Sequence, residues 1–302
     1  MKKSRIAVAG FGNVGKEVVS AVLESPDMEL AGIVLNDEEE ATLARKQVID
    51  IPIVMDVTEL GQVDVIILSI PSRLIPQVAP QYLKLGINTV DGFDIHGDSI
   101  ISLRKNLNEI AKANNCVSVI STGWDPGSDS VIRTLVEVIA PRGLTYTNFG
   151  PGMSLGHTVA VKTIEGVKDA LSMTIPEGTG LHKRLVYVEI EDGYDFNKIA
   201  DKIKEDPYVI EDETLVYKVD DVKSLIDTGH GVHIERKGVS GKTHNQQIHF
   251  TMSISNPAAA GQVMVSAARA SLKQKPGCYT ILEIPIIDFL HGEREQLLHR
   301  LI

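Results

Sequence analysis

Apolar and polar positions follow two different periods along this chain, and the change from one to the other divides it. Up to about residue 120, short expected strands at 5–9, 29–35, 63–70, 88–91 and 116–121 alternate with helical stretches such as 16–24, 76–85 and 99–114. A further helix, 128–140, follows the loop TGWDPG. The run VDVIILSIPS is apolar almost without interruption, as expected of a strand buried on both faces. This order of strand and helix predicts a doubly wound parallel sheet. From Tyr146 onward the period becomes two, in RLVYVEIED, LVYKVDD, VHIERKG and QQIHFTMSIS, which predicts a mainly antiparallel sheet. A last helical pattern, 257–273, leads into PGCYTILEIPIIDFL, an apolar segment expected to return to the first domain. At 302 residues the chain exceeds the ~250 beyond which single cores usually split. The expected organisation is a domain over 1–122, a second α+β domain over 123–265 that binds substrate and dimerises, and a returning segment over 266–302.

The first strand runs directly into Gly10-Phe11-Gly12-Asn13-Val14-Gly15, the spacing G-x-G-x-x-G. In a strand–turn–helix setting this spacing cradles a dinucleotide pyrophosphate. The first glycine makes the turn, the second lets backbone approach the phosphates, and the third lets helix pack on strand. The first domain is therefore expected to be Rossmann-like and to bind NAD or NADP. The end of the third run, Ser69, Pro71, Ser72 and Arg73, joins the cofactor set. The second run ends at Leu35, Asn36 and Asp37, about 20 residues past the glycines, where an acidic side chain reads ribose hydroxyls and repels a 2′-phosphate. Asn36 and Asp37 therefore favour NAD, while Glu38, Glu39 and Glu40 read as a solvated acidic loop. Arg45 and Arg73 remain within possible reach of a phosphate.

Composition narrows the partners. The net charge of −10, with no Lys/Arg-rich run, argues against nucleic acid and anionic membranes. Cys116 and Cys278 lack paired spacing and read as buried thiols. The short basic and apolar start is the first strand rather than a signal peptide, and no run of 18 apolar residues exists. A cytoplasmic protein is expected. The nine histidines show no metal-ligand spacing, and no metal is expected.

Two polar clusters fall at the carboxyl ends of expected strands, where open α/β sheets bind ligands. TVDGFDIHGD holds Asp91, Asp94, His96 and Asp98, and STGWDPGSD holds Trp124 and Asp125. Several carboxylates together suit an ammonium group and can take its proton. Asp98 could equally cap the helix after it, and Ser128 and Asp129 read as caps.

Taken with these clusters, the motifs GFGNVG, PDMEL, TVDGFDIHGD, STGWDPG, TNFGPGMSLGHTVAVKTIEGV and NPAAAGQV resemble the meso-diaminopimelate dehydrogenase family along essentially the whole chain. HKR, GHGV and the short middle domain look most like its shorter, type II branch. The resemblance implies reversible oxidative deamination at the D-centre of meso-2,6-diaminopimelate, giving L-2-amino-6-oxopimelate, ammonia and reduced cofactor. It implies that Asp94, Asp98 and Asp125 surround the reacting amine, with Trp124 and Phe149 as walls. Backbone around Met153, Leu155 and Gly156 would hold the near carboxylate. Thr174, Arg184, His230 and Asn256 would grip the far L-centre. The family habit is NADP, held by arginines after the second strand, whereas this chain has Leu35, Asn36 and Asp37 there. Read without the resemblance, Arg184 is an exposed strand-edge cation or a carboxylate fork, and His230 a turn residue or a ligand contact. Two alternatives stay open. One is a broader D-amino-acid dehydrogenase or 2-oxo acid reductive aminase on this scaffold. The other is a dinucleotide sensor without catalysis. A sugar dehydrogenase would want a lysine after the strand near residue 90, where this chain has Asp91-Gly92-Phe93-Asp94. A homodimer is the default assembly.

Overall fold

The computed structural model describes residues 3–95, 97–210, 212–225 and 229–302. The chain forms two compact units, residues 1–131 with 257–302, and 132–256. The crossings thus lie at 131/132 and 256/257, rather than at 122/123 with the return starting at 266.

The first unit opens with β1 (Ser4–Ala9), α1 (Asn13–Leu23), β2 (Met28–Val34), α2 (Glu38–Arg45) and β3 (Ile53–Val54). It continues through β4 (Val65–Leu68), α3 (Ile75–Lys84), β5 (Asn88–Asp91), α4 (Asp98–Ala113) and β6 (Val117–Ile120), and α5 (Ser128–Ile139) spans the crossing. The second unit holds β7 (Arg142–Phe149), β8 (Gly152–Met153), α6 (Leu155–Lys162), β9 (Val167–Gly178), β10 (Leu181–Ile190), α7 (Phe196–Lys204), β11 (Glu213–Lys218), β12 (Gly229–Ser240) and β13 (Thr243–Ser255). The chain returns through α8 (Asn256–Ser271), β14 (Gly277–Thr280) and α9 (Arg294–Leu301).

The seven strands of the first unit run parallel in the order β14-β6-β5-β4-β1-β2-β3. Its central strands are apolar because both faces are covered. One face packs Ile6, Val8, Val65 and Ile67 against Val18 and Val22 of α1 and Met264, Val265 and Ala268 of α8. The other packs Ala7, Ile66 and Leu68 against Ala79 and Leu83 of α3 and Leu103 and Leu107 of α4. In NPAAAGQV the glycine is what brings α8 close: a Cβ at Gly261 would lie 2.9 Å from the Val18 nitrogen on α1. Both cysteines are buried free thiols, and burial pushes Cys278 up to about 12.

The second unit has two sheets, β11-β10-β9-β8 and β13-β12-β7. Most pairings are antiparallel, but β10 and β11 run parallel, joined by a crossover through α7. Val186 and Val188 of β10 bury against Ile199 and Ile203 of α7.

Candidate active site

The glycine loop has the shape a pyrophosphate needs. Gly10 turns at φ +90, and a Cβ there would sit 2.4 Å from the Ser69 carbonyl oxygen. A Cβ on Gly15 would meet the Gly10 carbonyl oxygen at 2.3 Å, so this glycine sets the approach of α1 to the turn. A Cβ on Gly12 would meet nothing within 4 Å. Gly12 is the N-cap of α1 and has no capping side chain; the first turn carries no acidic residue. The helix starts at Asn13, three residues earlier than its apolar period suggested, and no side chain caps its first N–H groups. That is the donor set an anion takes. Beside it, the buried hydroxyl of Ser69 has no hydrogen-bond partner.

Past β2, Asn36 and Asp37 are exposed. Asp37 is the N-cap of α2, its Oδ1 accepting from the Glu40 N–H at 2.8 Å. Glu38, Glu39 and Glu40 form the first turn of that helix, not a loop, because acidic side chains favour its positive end. Arg45 is paired with Glu38 at 2.8 Å. Pro71 precedes a 3₁₀ turn that contains Ser72 and Arg73.

The two acidic segments are stitched together at the ends of β5 and β6. Asp91 is fully buried, and its Oδ1 accepts from the N–H groups of Phe93 at 3.0 Å and Ser121 at 3.4 Å. Its Oδ2 has no partner, and burial pushes the carboxyl up to about 7. The Thr122 and Ser121 hydroxyls donate to the carbonyls of Asp91 and Phe93 at 2.8 and 2.7 Å. Asp94 donates its N–H to the Ser72 hydroxyl at 3.2 Å, which ties this segment to the end of β4, and its own Oδ1 is buried without a partner. In STGWDPG, Gly127 comes so close to Gly123 that a Cβ would lie 1.7 Å from the Gly123 carbonyl oxygen. That closure buries Trp124 and leaves Asp125 half-buried. His96 lies outside the described residues. Asp98 is not a cap: Gly97 holds that position at φ +69, and Asp98 is an exposed first-turn residue of α4. Ser128 and Asp129 likewise lie inside the first turn of α5 rather than before it.

The second unit gathers its own set. A Cβ on Gly150 (φ +94) would meet the Thr174 carbonyl at 2.3 Å, and one on Gly152 would lie 2.6 Å from His230 Nδ1. These two glycines of FGPGM explain how Phe149, Met153, Thr174 and His230 come together. Thr174 and Arg184 are opposite residues on β9 and β10. Arg184 is buried in an interior strand, not an exposed edge cation. Its fork is also partly spent: Nε donates to Asp212 Oδ2 at 2.6 Å and Nη1 to the Thr174 hydroxyl at 2.9 Å, which leaves Nη2 for a ligand. His230 is a buried strand residue rather than a turn.

Two histidines stay neutral nearby. Burial, then the Arg184 charge, holds His157 down to about 3, and its Nδ1 meets the Ser154 hydroxyl at 2.6 Å. His182 is lowered chiefly by burial, and its Nε2 accepts the Phe149 N–H at 2.8 Å beneath a tilted ring contact of 5.6 Å. Ser154 caps α6 without a side-chain bond, so Leu155 and Gly156 offer first-turn N–H groups with no acidic residue nearby in the helix. Asn256 is buried at the first position of α8. Sequence reasoning missed Asp212, His182 and His157. Asp212 is 28 residues from Arg184 and has no motif of its own, whereas His157 and His182 sit inside the quoted motifs FGPGMSLGH and HKR.

Among the described residues no helix is long and apolar enough to cross a membrane. Residues 4–90 match the model of an oxidoreductase family with an NAD-binding Rossmann fold, so the first unit is an NAD(P)-binding domain. Residues 123–183 match the diaminopimelic acid dehydrogenase C-terminal domain. The chain is 54% identical to meso-diaminopimelate D-dehydrogenase of Bacteroides fragilis over 302 residues, covering 100% of each chain. It is 33% identical to that of Ureibacillus thermosphaericus over 94% of this chain and 95% of the relative. Among solved structures, C. glutamicum DAP dehydrogenase in complex with DAP superposes with a TM-score of 0.87 at 28% identity, covering 100% of each chain. An engineered D-amino acid dehydrogenase bound to NADP+ does so equally, at 0.87, 27% identity and 100% of each chain. The chain belongs to the meso-diaminopimelate D-dehydrogenase family.

Proposed function

We propose that this chain catalyses the reversible NAD(P)-dependent oxidative deamination of meso-2,6-diaminopimelate at its D-centre, as a cytoplasmic homodimer. Membership of the family supports the reaction. The observation that carries the substrate is Arg184, a buried cation with Nη2 left over after Asp212 and Thr174 are served. A substrate with a second amino-acid centre offers the carboxylate such a group needs. His157 and His182 remain neutral, so the positive charge stays on the guanidinium.

Bound NAD(P)+ supplies the hydride acceptor. Asp94, Asp98 and Asp125 hold the D-centre amine by charge-assisted hydrogen bonds, and a carboxylate accepts its proton as the α-hydrogen leaves with its electron pair. Water adds to the substrate imine, which releases ammonia and leaves the 6-oxo product. Trp124 and Phe149 wall the reacting carbon, and the N–H groups of Leu155 and Gly156 with Met153 bind the near carboxylate. Thr174, Arg184, His230 and Asn256 hold the far centre. Placement and charge are the protein's share.

NAD is the preferred cofactor. The Asp37 carboxylate already fills the anion position at the start of α2, and Glu38, Glu39 and Glu40 follow it. A 2′-phosphate would meet that charge without a free arginine on α2. For the dimer, Leu135, Val138 and Ile139 of α5 and Leu144 of β7 are exposed apolar side chains that a second copy would cover.

Initial rates with meso-diaminopimelate, D-alanine and D-lysine, each with NAD and with NADP, test the reading. Turnover of meso-diaminopimelate with NAD, abolished in Arg184→Met, is the expected result. Turnover with NADP alone would overturn the cofactor preference. Activity confined to one-centre amino acids would point to the broader dehydrogenase, and silence with tight dinucleotide binding to a sensor.

A further inference from the structure

On β12, residues alternate between the two faces of the three-stranded sheet. His230, Val232, Ile234 and Arg236 turn to the buried side. His233 and Glu235 turn to the other, so they lie across the sheet from His230. β13 is an edge strand in antiparallel register: His249 sits directly opposite Glu235, and Thr251 opposite His233. Directly opposed Cβ atoms are about 4.5–5.5 Å apart and diagonal ones about 7–8 Å, within reach of imidazoles. Here the rings of His233 and His249 stack at 5.7 Å with planes 23° apart.

We propose that His233, Glu235 and His249 form a binding site for a divalent transition-metal ion, with zinc as its natural probe. One ligand atom from each of the three lies within 4.8 Å of the others. Two imidazoles and one carboxylate are a donor set suited to zinc, nickel or copper rather than magnesium or calcium. Zn–N and Zn–O bonds of about 2.0–2.2 Å place tetrahedral ligand atoms about 3.3–3.5 Å apart. Rotation of half-buried and exposed side chains closes the remaining gap without moving the strands. His233 Nδ1 lies 2.9 Å from the Thr251 hydroxyl, an outer contact that fixes the ring and leaves Nε2 to ligate. Lys237 Nζ, 3.0 Å from Glu235 Oε1, is the competitor a metal must displace. Such an exposed pair resists displacement only weakly. The fourth position is open to water. A bound ion would join the edge strand β13 to β12.

The test is calorimetric titration of the chelator-stripped full-length protein with zinc chloride near neutral pH. One equivalent per chain is expected. His249→Gln should weaken binding about tenfold or more, and His233→Gln with His249→Gln should remove it. Lys237→Met should tighten binding, a result that surface adsorption does not produce. Zinc should also raise the thermal midpoint of the wild type but not of the double variant. Circular dichroism without metal checks that each variant folds. Zinc binding undiminished in the double variant, or no saturable binding by the wild type, would overturn the site. No readout uses turnover, so failure here is distinct from failure of the catalytic reading.

Discussion

Asp91 concentrates the chemistry of the first unit in one side chain. It is fully buried, holds two loop N–H groups on one oxygen, and leaves the other without a partner. Burial raises its folded pKa from 3.8 to about 7. Because the folded state then binds the proton more tightly than the unfolded state, this group makes stability fall as pH rises from about 4 to 7, and the loss is complete above 7. Asp91→Asn keeps the acceptor for Phe93 and Ser121 but cannot ionise. Its stability should therefore be flatter over that window, with the difference from wild type on the order of 4 kcal/mol at pH 8. Urea midpoints of the cofactor-free protein across pH 4–8 measure it; an unchanged slope would show that Asp91 ionises freely. Asp212 is the comparable residue of the second unit. Its removal leaves Arg184 buried without its carboxylate partner, a loss on the order of 3 kcal/mol. Asp212→Ala should raise KM for meso-diaminopimelate well over tenfold, should alter kcat less, and should be partly rescued by Asp212→Asn.

At the scale of elements, the glycine loop separates folding from binding. A Cβ on Gly10 or Gly15 collides with backbone at 2.4 and 2.3 Å, while one on Gly12 meets nothing within 4 Å. Gly12→Ala should therefore keep the thermal midpoint near that of the wild type yet raise the dinucleotide Kd at least tenfold, because the methyl fills the phosphate space. Gly10→Ala and Gly15→Ala should lower the midpoint itself. Differential scanning fluorimetry with and without NAD distinguishes them. This loop was legible in the sequence because strand, turn and helix are contiguous, and so were β1, β2, β4, β5 and β6 from their alternation with helical stretches, β4 most clearly because burial on both faces writes an unbroken apolar run. The short α2 was not: its acidic first turn reads as a solvated loop until the Asp37 cap is seen. Nor was the parallel pairing of β10 with β11, since alternation reports a half-buried face and not strand direction. The resemblance located Arg184 and Thr174. Asp212 escaped because an ion pair across a crossover leaves no local pattern.

At the scale of the whole chain, the first unit is assembled from both ends. α8 covers one face of its sheet and β14 extends the edge beyond β6, yet 125 residues of the second unit intervene (132–256). Two ion pairs hold this closure chemically, Arg104 of α4 with Glu283 just past β14 and Arg269 with Asp27, and the second is the more buried. Arg269 on α8 forks onto Asp27, just before β2, at 2.6 and 2.9 Å, and its Nη1 donates to the Phe289 carbonyl at 3.0 Å. The arginine is buried, so its partners are lost to water as well as to each other if it is removed. Arg269 holds the Asp27 carboxyl below its ordinary value, chiefly through that hydrogen bond. A carboxylate lowered in the folded state stabilises above its unfolded pKa, and the contribution disappears as pH falls through the folded one. Arg269→Met should thus destabilise the first unit by about 1–3 kcal/mol at pH 7. The gap to wild type should close below pH 4, where Asp27 takes up its proton. Trp124 is the chain's single tryptophan and lies in the first unit, so its fluorescence during urea unfolding reports this unit without interference from the other. A gap that stays constant from pH 7 to pH 3 would mean that Arg269 acts through packing along its aliphatic stem, and that the charge on Asp27 has no part in closing the sheet.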